Sequence, residues 1–355
     1  MMFEPDGRNG RTSRAGGPGR LIRLRPAGIA AWLILAIAAV LPAVVAQAAE
    51  PVLLYVSIPP QAYLVEEIGG PDVAVKTLVR PGQEPHTFDA TPKQILDLGR
   101  AEAYFAIGLP FEDQLLEKIR GSHHDLLIVD MAHGIERVMI GEHEGGGSPG
   151  EGADGETEHG HGAAMHGKSH QEAADHGHEH HTHGGGKHPD PHIWLSPPLI
   201  EQLARNTAGE LKKIDPEHSA GYESRLQDFL GALAEVDEEI RKILEPYRGQ
   251  SFYVFHPAFG YFGDAYGLDQ VAVETGGKSP SPRQLAQLIQ RAQADNVKII
   301  FVQPQFDQRS ARAVAEAIGG AVVPVDPLAR EILPNLKTLA QRMEEALRAQ
   351  QPDGP

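Results

Sequence analysis

Four side chains able to bind a metal ion stand apart from one another in the sequence, each beside a probable turn. His86 lies in RPGQEPHTFDATP, His192 in DPHIWLSP, His256 in VFHPAFGYFGDAYG and Asp326 in VVPVDPLA. Neutral imidazoles and a carboxylate together form a ligand set that suits tetrahedral Zn²⁺. Their spacing alone does not bring them together, so each one could equally be an ordinary hydrogen-bonded surface residue.

A second candidate metal site is the histidine-rich stretch HGHEHHTHGGGKHPDPHIWLSP at residues 176–197. It belongs to a segment, 139–188, that is rich in Gly, His, Glu and Ala, and such a composition predicts disorder because it cannot offset the ordering entropy. A disordered segment offers ligands without fixed distances, so we expect modest affinity and variable stoichiometry. It could capture zinc near the working site, or it could be a solvated spacer. Its candidate accessory ligands are His176, His178, His180, His181 and His183.

The isolated candidates follow, or lie near, runs that are typical of β-strands. These runs alternate with helical patterns such as residues 91–103, which begin with a threonine cap. The alternation predicts parallel sheets, and ligands gather at the carboxyl edge of such sheets. We therefore expect the isolated candidates at these edges. The strand candidates are residues 52–58, 73–79, 103–108 and 126–132, then 251–255, 270–274, 297–304 and 321–327.

One long helical pattern separates the two groups of strands. Residues 216–247 would span roughly 45 Å at 1.5 Å per residue, which is longer than one lobe is wide. The predicted fold class is therefore α/β, with two lobes of mostly parallel sheet joined by this long helix. The predicted lobes are residues 49–215 and 248–355. The apolar face of the helix is formed by Leu226, Phe229, Leu230, Leu233, Val236, Ile240 and Leu244.

The N-terminal residues 1–48 have the pattern of a secretory signal peptide. Several arginines precede an apolar stretch from Ala27 to about Val45, and the small-residue pattern AQA follows at Ala46–Ala48. We predict cleavage near Ala48 and export to the periplasm. An uncleaved membrane anchor is the alternative, because the stretch approaches spanning length, although Pro42 interrupts its end.

Composition excludes several classes of function. The formal net charge of −16 disfavours a nucleic-acid partner, whose phosphates need a basic surface. The absence of cysteine excludes disulfides, thiolate metal sites and cysteine nucleophiles. Zinc with an open coordination position could activate water, but the H-E-x-x-H pattern of metalloproteases is absent. We therefore expect no enzyme, with a zinc hydrolase kept as a lesser alternative.

Four stretches of the sequence, in this order, carry a resemblance to a known family. They are VRPGQEPHTFDATPKQILDL, DPHIWLSPPL, VFHPAFGYFGDAYGL with GKSPSPRQLAQLI, and IIFVQPQF followed by VVPVDPLA. Together they make residues 50–350 resemble the metal-binding receptors of ABC transporters that import zinc or manganese, in particular the periplasmic zinc-binding type. The histidine-rich loop before the second ligand is also a feature of the zinc type.

The resemblance implies two α/β lobes, a rigid linking helix and a metal site in the inter-lobe cleft. It implies His86, His192, His256 and Asp326 as ligands, with Glu84 a weaker fourth ligand because Pro85 separates it from His86. The implied cargo is Zn²⁺, and the implied partner is the membrane permease of an ABC transporter. We expect a monomer without an organic substrate. A manganese receptor and a metal-dependent adhesin remain alternatives, because exported members of the family include adhesins.

Overall fold

The computed structural model describes residues 50–121, 125–140, 188–274, 281–306 and 308–351. The predicted signal peptide and the candidate accessory histidines of the loop lie outside these residues. None of the helices within the described ranges is both long enough and apolar enough to cross a membrane. The described residues, from 50 to 351, belong to one compact unit.

The N-terminal lobe is built on a four-stranded parallel sheet with strand order β2-β1-β3-β4. Its central strand β1 is an apolar run, as expected where a parallel strand is covered on both faces. Leu54 and Val56 of β1 are fully buried, as is Phe105 of β3. The strands are β1 (Val52–Val56), β2 (Val73–Thr77), β3 (Ala103–Ala106) and β4 (Leu127–Asp130), and the helices are α1 (Pro59–Gly69), α2 (Pro92–Leu98) and α3 (Pro110–Arg120).

A short antiparallel pair flanks the undescribed part of the histidine-rich segment. Strand β5 (Met139–Ile140) pairs with β6 (His188–Pro189), with Ile140 opposite His188. The ladder continues one residue further, because the Asp190 amide donates to the Val138 carbonyl at 2.8 Å. The sequence prediction placed 139, 140 and 188 in a disordered segment. That prediction was wrong at the two ends, since their backbone groups pair with each other.

The long helix predicted from the sequence is present, with shorter bounds. Helix α4 (Pro197–Ile214) precedes it, and the long helix α5 covers Ser219–Leu244, 26 residues or about 39 Å. The predicted range 216–247 adds a 3₁₀ turn at each end, Pro216–His218 and Glu245–Tyr247. Both turns contain a proline, which has no amide to continue a helical ladder. The predicted apolar face is buried, except that Leu230 is only partly covered.

The C-terminal lobe repeats the parallel arrangement with strand order β10-β9-β7-β8. Helix α5 packs against α1 and α4 of the N-terminal lobe and against α9 (Ile332–Gln350) of this lobe, so it contacts both lobes. The strands are β7 (Ser251–Val254), β8 (Asp269–Ala272), β9 (Ile299–Val302) and β10 (Ala321–Pro324), and the helices are α6 (Gly260–Tyr266), α7 (Pro282–Ala294), α8 (Arg309–Ala317) and α9 (Ile332–Gln350).

The same local signal begins a helix in each lobe. Thr91 caps α2 by accepting from the Gln94 amide, and the Gln94 side chain accepts from the Thr91 amide in return. Ser281 and Gln284 form the same reciprocal pair at α7. A proline occupies the first helical position in both cases, where its missing amide has no cost. The predicted threonine cap is therefore confirmed, and it fixes the end of the loop that carries His86.

Candidate metal centre

Three histidines from distant parts of the chain converge at the carboxyl edges of the two sheets. One ring nitrogen of each of His86, His192 and His256 lies within 4.8 Å of those of the other two. Their ring centroids are 4.8 to 5.8 Å apart. The Nε2 atoms of His86 and His256 are 3.2 Å apart. Within the described residues, this is the one group of histidines and acids close enough to hold a metal ion.

His192 is fixed by an acid two residues before it. The Asp190 carboxylate accepts from the His192 amide at 3.0 Å and lies 2.6 Å from the ring nitrogen Nδ1. Since an ionised carboxylate only accepts, Nδ1 carries the proton and Nε2 keeps its lone pair. Both side chains are buried. Tyr261 of α6 bridges two backbone groups beside this histidine. Its hydroxyl donates to the Asp190 carbonyl and accepts from the Val138 amide.

His256 follows β7 directly, and its backbone is held by a buried glutamine. Gln303, at the end of β9, accepts from the His256 amide through Oε1 and donates to the His256 carbonyl through Nε2. The distances are 3.1 and 2.8 Å, and Gln303 is fully buried. The glutamine side chain therefore continues the pairing of β7 with β9 by one more residue and fixes where the imidazole begins.

The His256 ring itself has two further contacts. The Glu274 carboxylate lies 3.2 Å from Nδ1, and the Phe306 ring stacks on the imidazole with centroids 4.6 Å apart. Burial lowers the pKa of the His256 imidazole below its usual range, and the hydrogen bond that the imidazole donates to Glu274 opposes this lowering. A neutral imidazole is the form that binds a metal.

His86 lies in the loop between β2 and α2 and is partly buried. The Glu84 carboxylate holds this loop, because its two oxygens accept from the backbone amides of His86 and Thr87 at 2.6 and 2.7 Å. Glu84 is therefore near the site, but within the described residues it is not part of the group of converging ligand atoms. Its visible role is to orient the turn that presents His86.

Asp326 follows β10, but it too lies outside the group of three imidazoles. Its Oδ1 accepts from the Gln305 side chain at 2.7 Å and from the Leu328 amide at 2.9 Å. The residue also lines a cavity of about 240 Å³ together with Asn335 and Arg342 of α9. Among the four candidates of the sequence, the three histidines come together and the acid is not part of their group.

The structure adds side chains whose part in the site was not predicted. Asp190 stands in the quoted motif DPHIWLSP, and its position two residues before a histidine was an available signal. Glu274 ends the strand candidate 270–274, where a buried acid is unusual enough to be noticed. For Gln303 and Phe306 the sequence offers no signal, because their roles depend on which strands are neighbours.

The arrangement is suited to binding a cation. Three imidazoles supply three of the four positions of a tetrahedral zinc site. The acids nearest the imidazoles are already engaged: Asp190 and Glu274 lie at Nδ1 atoms, and Glu84 accepts two backbone amides. None of these three is left as an evident general base.

Sequence comparison gives one family for most of the chain. The profile described as "ZnuA: Zinc-uptake complex component A periplasmic" matches residues 54–351. The matched range contains both sheets, the long helix and all three converging histidines.

Individual relatives agree with this family. The zinc-binding protein AdcA of Streptococcus pyogenes is 25% identical over 266 residues, which are 74% of this chain and 47% of AdcA. The chain thus spans about half the length of these first curated relatives. A crystal structure of ZnuA is 35% identical with a TM-score of 0.69, covering 83% of this chain and 99% of that one. A zinc-bound ZnuA with residues 138–173 deleted is also 35% identical, with a TM-score of 0.68 and coverages of 85% and 100%.

Proposed function

This chain belongs to the family of periplasmic zinc-uptake component A proteins, and from that membership we propose that it is a receptor that binds Zn²⁺ for import. His86, His192 and His256 bind the ion, and the loaded receptor delivers it to the membrane permease of an ABC transporter. The chain is exported, with its signal peptide cleaved near Ala48, and acts as a monomer.

One observation carries the proposal: three imidazoles converge, and two of them have nearly the nitrogen spacing that zinc requires. Tetrahedral Zn–N bonds of about 2.0–2.1 Å place two ligand nitrogens roughly 3.3–3.4 Å apart. The Nε2 atoms of His86 and His256 are 3.2 Å apart. Imidazole ligands also favour zinc over manganese, which prefers carboxylate oxygens. Manganese is therefore a less favoured cargo than zinc.

The fourth ligand is Asp326 or Glu84, or a water molecule where neither reaches the ion. Asp326 is the stronger of the two acids, because both carboxylate oxygens of Glu84 hold the backbone of the His86 turn. Within the described ranges, the hydrogen bonds from the Gln305 side chain and the Leu328 amide both go to Oδ1 of Asp326.

Import and binding are tested separately. A strain that lacks this protein should grow poorly when zinc is scarce and recover with excess zinc. The intact gene should restore growth, whereas a gene with His86, His192 and His256 all changed to Ala should not. Tight zinc binding by the purified triple variant would overturn the assignment of the site. Restoration of growth by that variant would overturn the proposed role in import.

Related experiments test the two alternatives, catalysis and adhesion. The engaged acids around the site argue for a receptor over a zinc hydrolase. Zinc-loaded protein should therefore leave ester, peptide and phosphoester substrates intact over hours. Turnover that disappears in the triple variant would replace the receptor proposal with an enzyme. Normal growth of the deletion strain in scarce zinc would instead favour the adhesin alternative.

A further inference from the structure

The register of the C-terminal sheet places three polar residues side by side at its carboxyl edge. Val254 of β7 pairs with Ala272 of β8 and with Phe301 of β9. Two residues further along each strand direction stand His256, Glu274 and Gln303. Hydrogen bonds beyond the strands keep this register, because the Glu274 amide donates to the Phe255 carbonyl and the Phe255 amide donates to the Phe301 carbonyl.

The two polar neighbours of His256 are buried, so each of them needs a hydrogen-bond partner. Gln303 is fully buried and Glu274 is 5% exposed. A buried carboxylate without a partner is costly, and the partner given to Glu274 here is Nδ1 of His256 at 3.2 Å. The pair therefore has the geometry of an acid that fixes the tautomer and the orientation of an imidazole.

We propose that Glu274 is a positioning residue of the metal site, which accepts a hydrogen bond from Nδ1–H of His256 and so directs the Nε2 lone pair toward His86 and His192. This inference rests on the proposed function, since it names how one ligand of that site is held. Gln303 fixes the His256 backbone, Phe306 covers one face of the ring and Glu274 selects the nitrogen that faces the ion.

The acid differs in kind from the one that serves His192. Asp190 is two residues from its histidine, so a local turn suffices to join them. Glu274 is 18 residues from His256 and reaches it only because β8 lies beside β7. The two lobes therefore reach the same carboxylate–imidazole arrangement by different routes, which supports a shared role for the two acids.

Three variants test the proposal in protein whose residues 141–187 are replaced by a short turn. Glu274→Ala should weaken zinc binding about 10- to 100-fold, as loss of an orienting partner does. Glu274→Gln should weaken it less, because the amide oxygen still accepts from Nδ1–H. Asp295→Asn is the control in the same lobe, since its carboxylate accepts a hydrogen bond from Tyr253 of β7, lies outside the group of converging ligands and should leave affinity unchanged.

A double-mutant cycle distinguishes positioning from general support of the lobe. If Glu274 acts only through His256, adding Glu274→Ala to His256→Ala should change zinc affinity less than twofold further. Losses that multiply would show that Glu274 contributes independently of His256, and would overturn the proposal. So would an unchanged affinity of Glu274→Ala in a protein whose unaltered form binds zinc tightly.

The tautomer of His256 gives a readout that needs no metal. Nitrogen chemical shifts of the metal-free protein should show His256 protonated at Nδ1, and Glu274→Ala should shift the population toward Nε2–H. The same Nδ1–H population in the native protein and in Glu274→Ala would overturn the proposal, whereas Glu274→Gln should keep the native tautomer because its amide oxygen still accepts from Nδ1–H. A native protein that binds no zinc would defeat the proposed function, and the tautomer would still decide the role of Glu274.

Discussion

The Nε2 atoms of His86 and His256 lie 3.2 Å apart, although 170 positions separate the two residues in the chain. His86 belongs to the loop after β2 of the N-terminal sheet, and His256 follows β7 of the C-terminal sheet. The ligand group is therefore complete only when both lobes are folded and in contact. Replacing one ligand should weaken the metal site without unfolding either lobe. The first prediction rests on this difference between metal affinity and folding.

Single replacement of His86, His192 or His256 by Ala should weaken tight zinc binding at least tenfold while the fold persists. Loss of a ligand should cost no less than the 10–100-fold typical of an orienting neighbour. Competition titration against a chelator of known affinity measures the change. His133→Ala is the matched control, because that residue is exposed and outside the group. Asp326→Ala and Glu84→Ala should have smaller effects than any of the three histidine changes, and a larger effect of either acid would contradict this ranking.

Removal of the histidine-rich segment should leave the tight site intact and abolish weaker additional sites. The pairing of Ile140 with His188 defines where to cut. Replacing 141–187 by Asn-Gly keeps β5 and β6 and closes them with a two-residue hairpin turn. Calorimetric titration should then show a single tight site. A deletion that starts at 139 is a poorer design, because it removes the β5–β6 pairing next to Asp190. If the tight site disappears with the hairpin intact, the segment itself was the working site.

Zinc affinity should fall steeply as the solution becomes acidic. Imidazole must be neutral to bind, and its ordinary pKa is about 6.5. For each imidazole that is protonated in the metal-free protein, zinc affinity falls by up to a further tenfold per pH unit. Because burial lowers the pKa of His256, this residue stays neutral to lower pH than an exposed histidine does. His256 should therefore add to the decline only at lower pH than an exposed histidine would. Titrations between pH 5 and 8 measure the profile, and an affinity independent of pH over this range would contradict a histidine site.

Zinc should bind far more tightly than manganese, and His256→Glu should narrow the difference. Three imidazoles favour zinc both by ligand type and by the general order of divalent affinities. A carboxylate at position 256 supplies the oxygen ligand that manganese prefers. Competitive titration of the hairpin-closed protein with both ions measures the ratio. Copper and nickel rival zinc in such a test, so they do not serve as discriminating competitors. Equal or tighter binding of manganese by the unaltered protein would leave only a receptor for divalent metals.

Arg225→Ala should destabilise the protein by about 1–2 kcal/mol without changing zinc affinity. The Arg225 guanidinium, on the long helix α5, donates to the carbonyls of Ile68 and Gly69 at the end of α1 and to the Asp72 carboxylate. These hydrogen bonds join the linking helix to the N-terminal lobe far from the imidazoles. Chemical denaturation measures the loss.

Arg241→Ala is the matched control for Arg225→Ala. Arg241 is on the same helix, but its ion pair with Asp237 is more exposed and local, and such pairs contribute little. It should cost no more than about 0.5 kcal/mol. Equal losses of stability in the two variants would mean that the hydrogen bonds of Arg225 to α1 stabilise the protein no more than the local ion pair of Arg241 does.

The sequence by itself determined the elements and the candidate ligands. Apolar runs alternating with helical patterns predicted parallel sheets, and the buried β1, β3, β7 and β9 confirm that this pattern reports burial on two faces. The cap at Thr91 and the apolar face of α5 were also readable, because both depend on residues within a few positions of one another. The histidines after strands could be named as candidates for the same reason: strand ends are local features.

Only the tertiary structure decided which candidates meet and what holds them. Glu274 and Gln303 flank His256 because β8 and β9 pair with β7 in one register, and register is set by the packing of the whole sheet. Asp326 is not part of the imidazole group, although its motif was as distinctive as theirs. The ends of the histidine-rich segment are paired strands for the same reason: antiparallel pairing joins residues 140 and 188, which nothing in their local sequence connects. Long-range contacts depend on how the elements are arranged in the fold, and the periodicity of the sequence does not indicate which elements are neighbours.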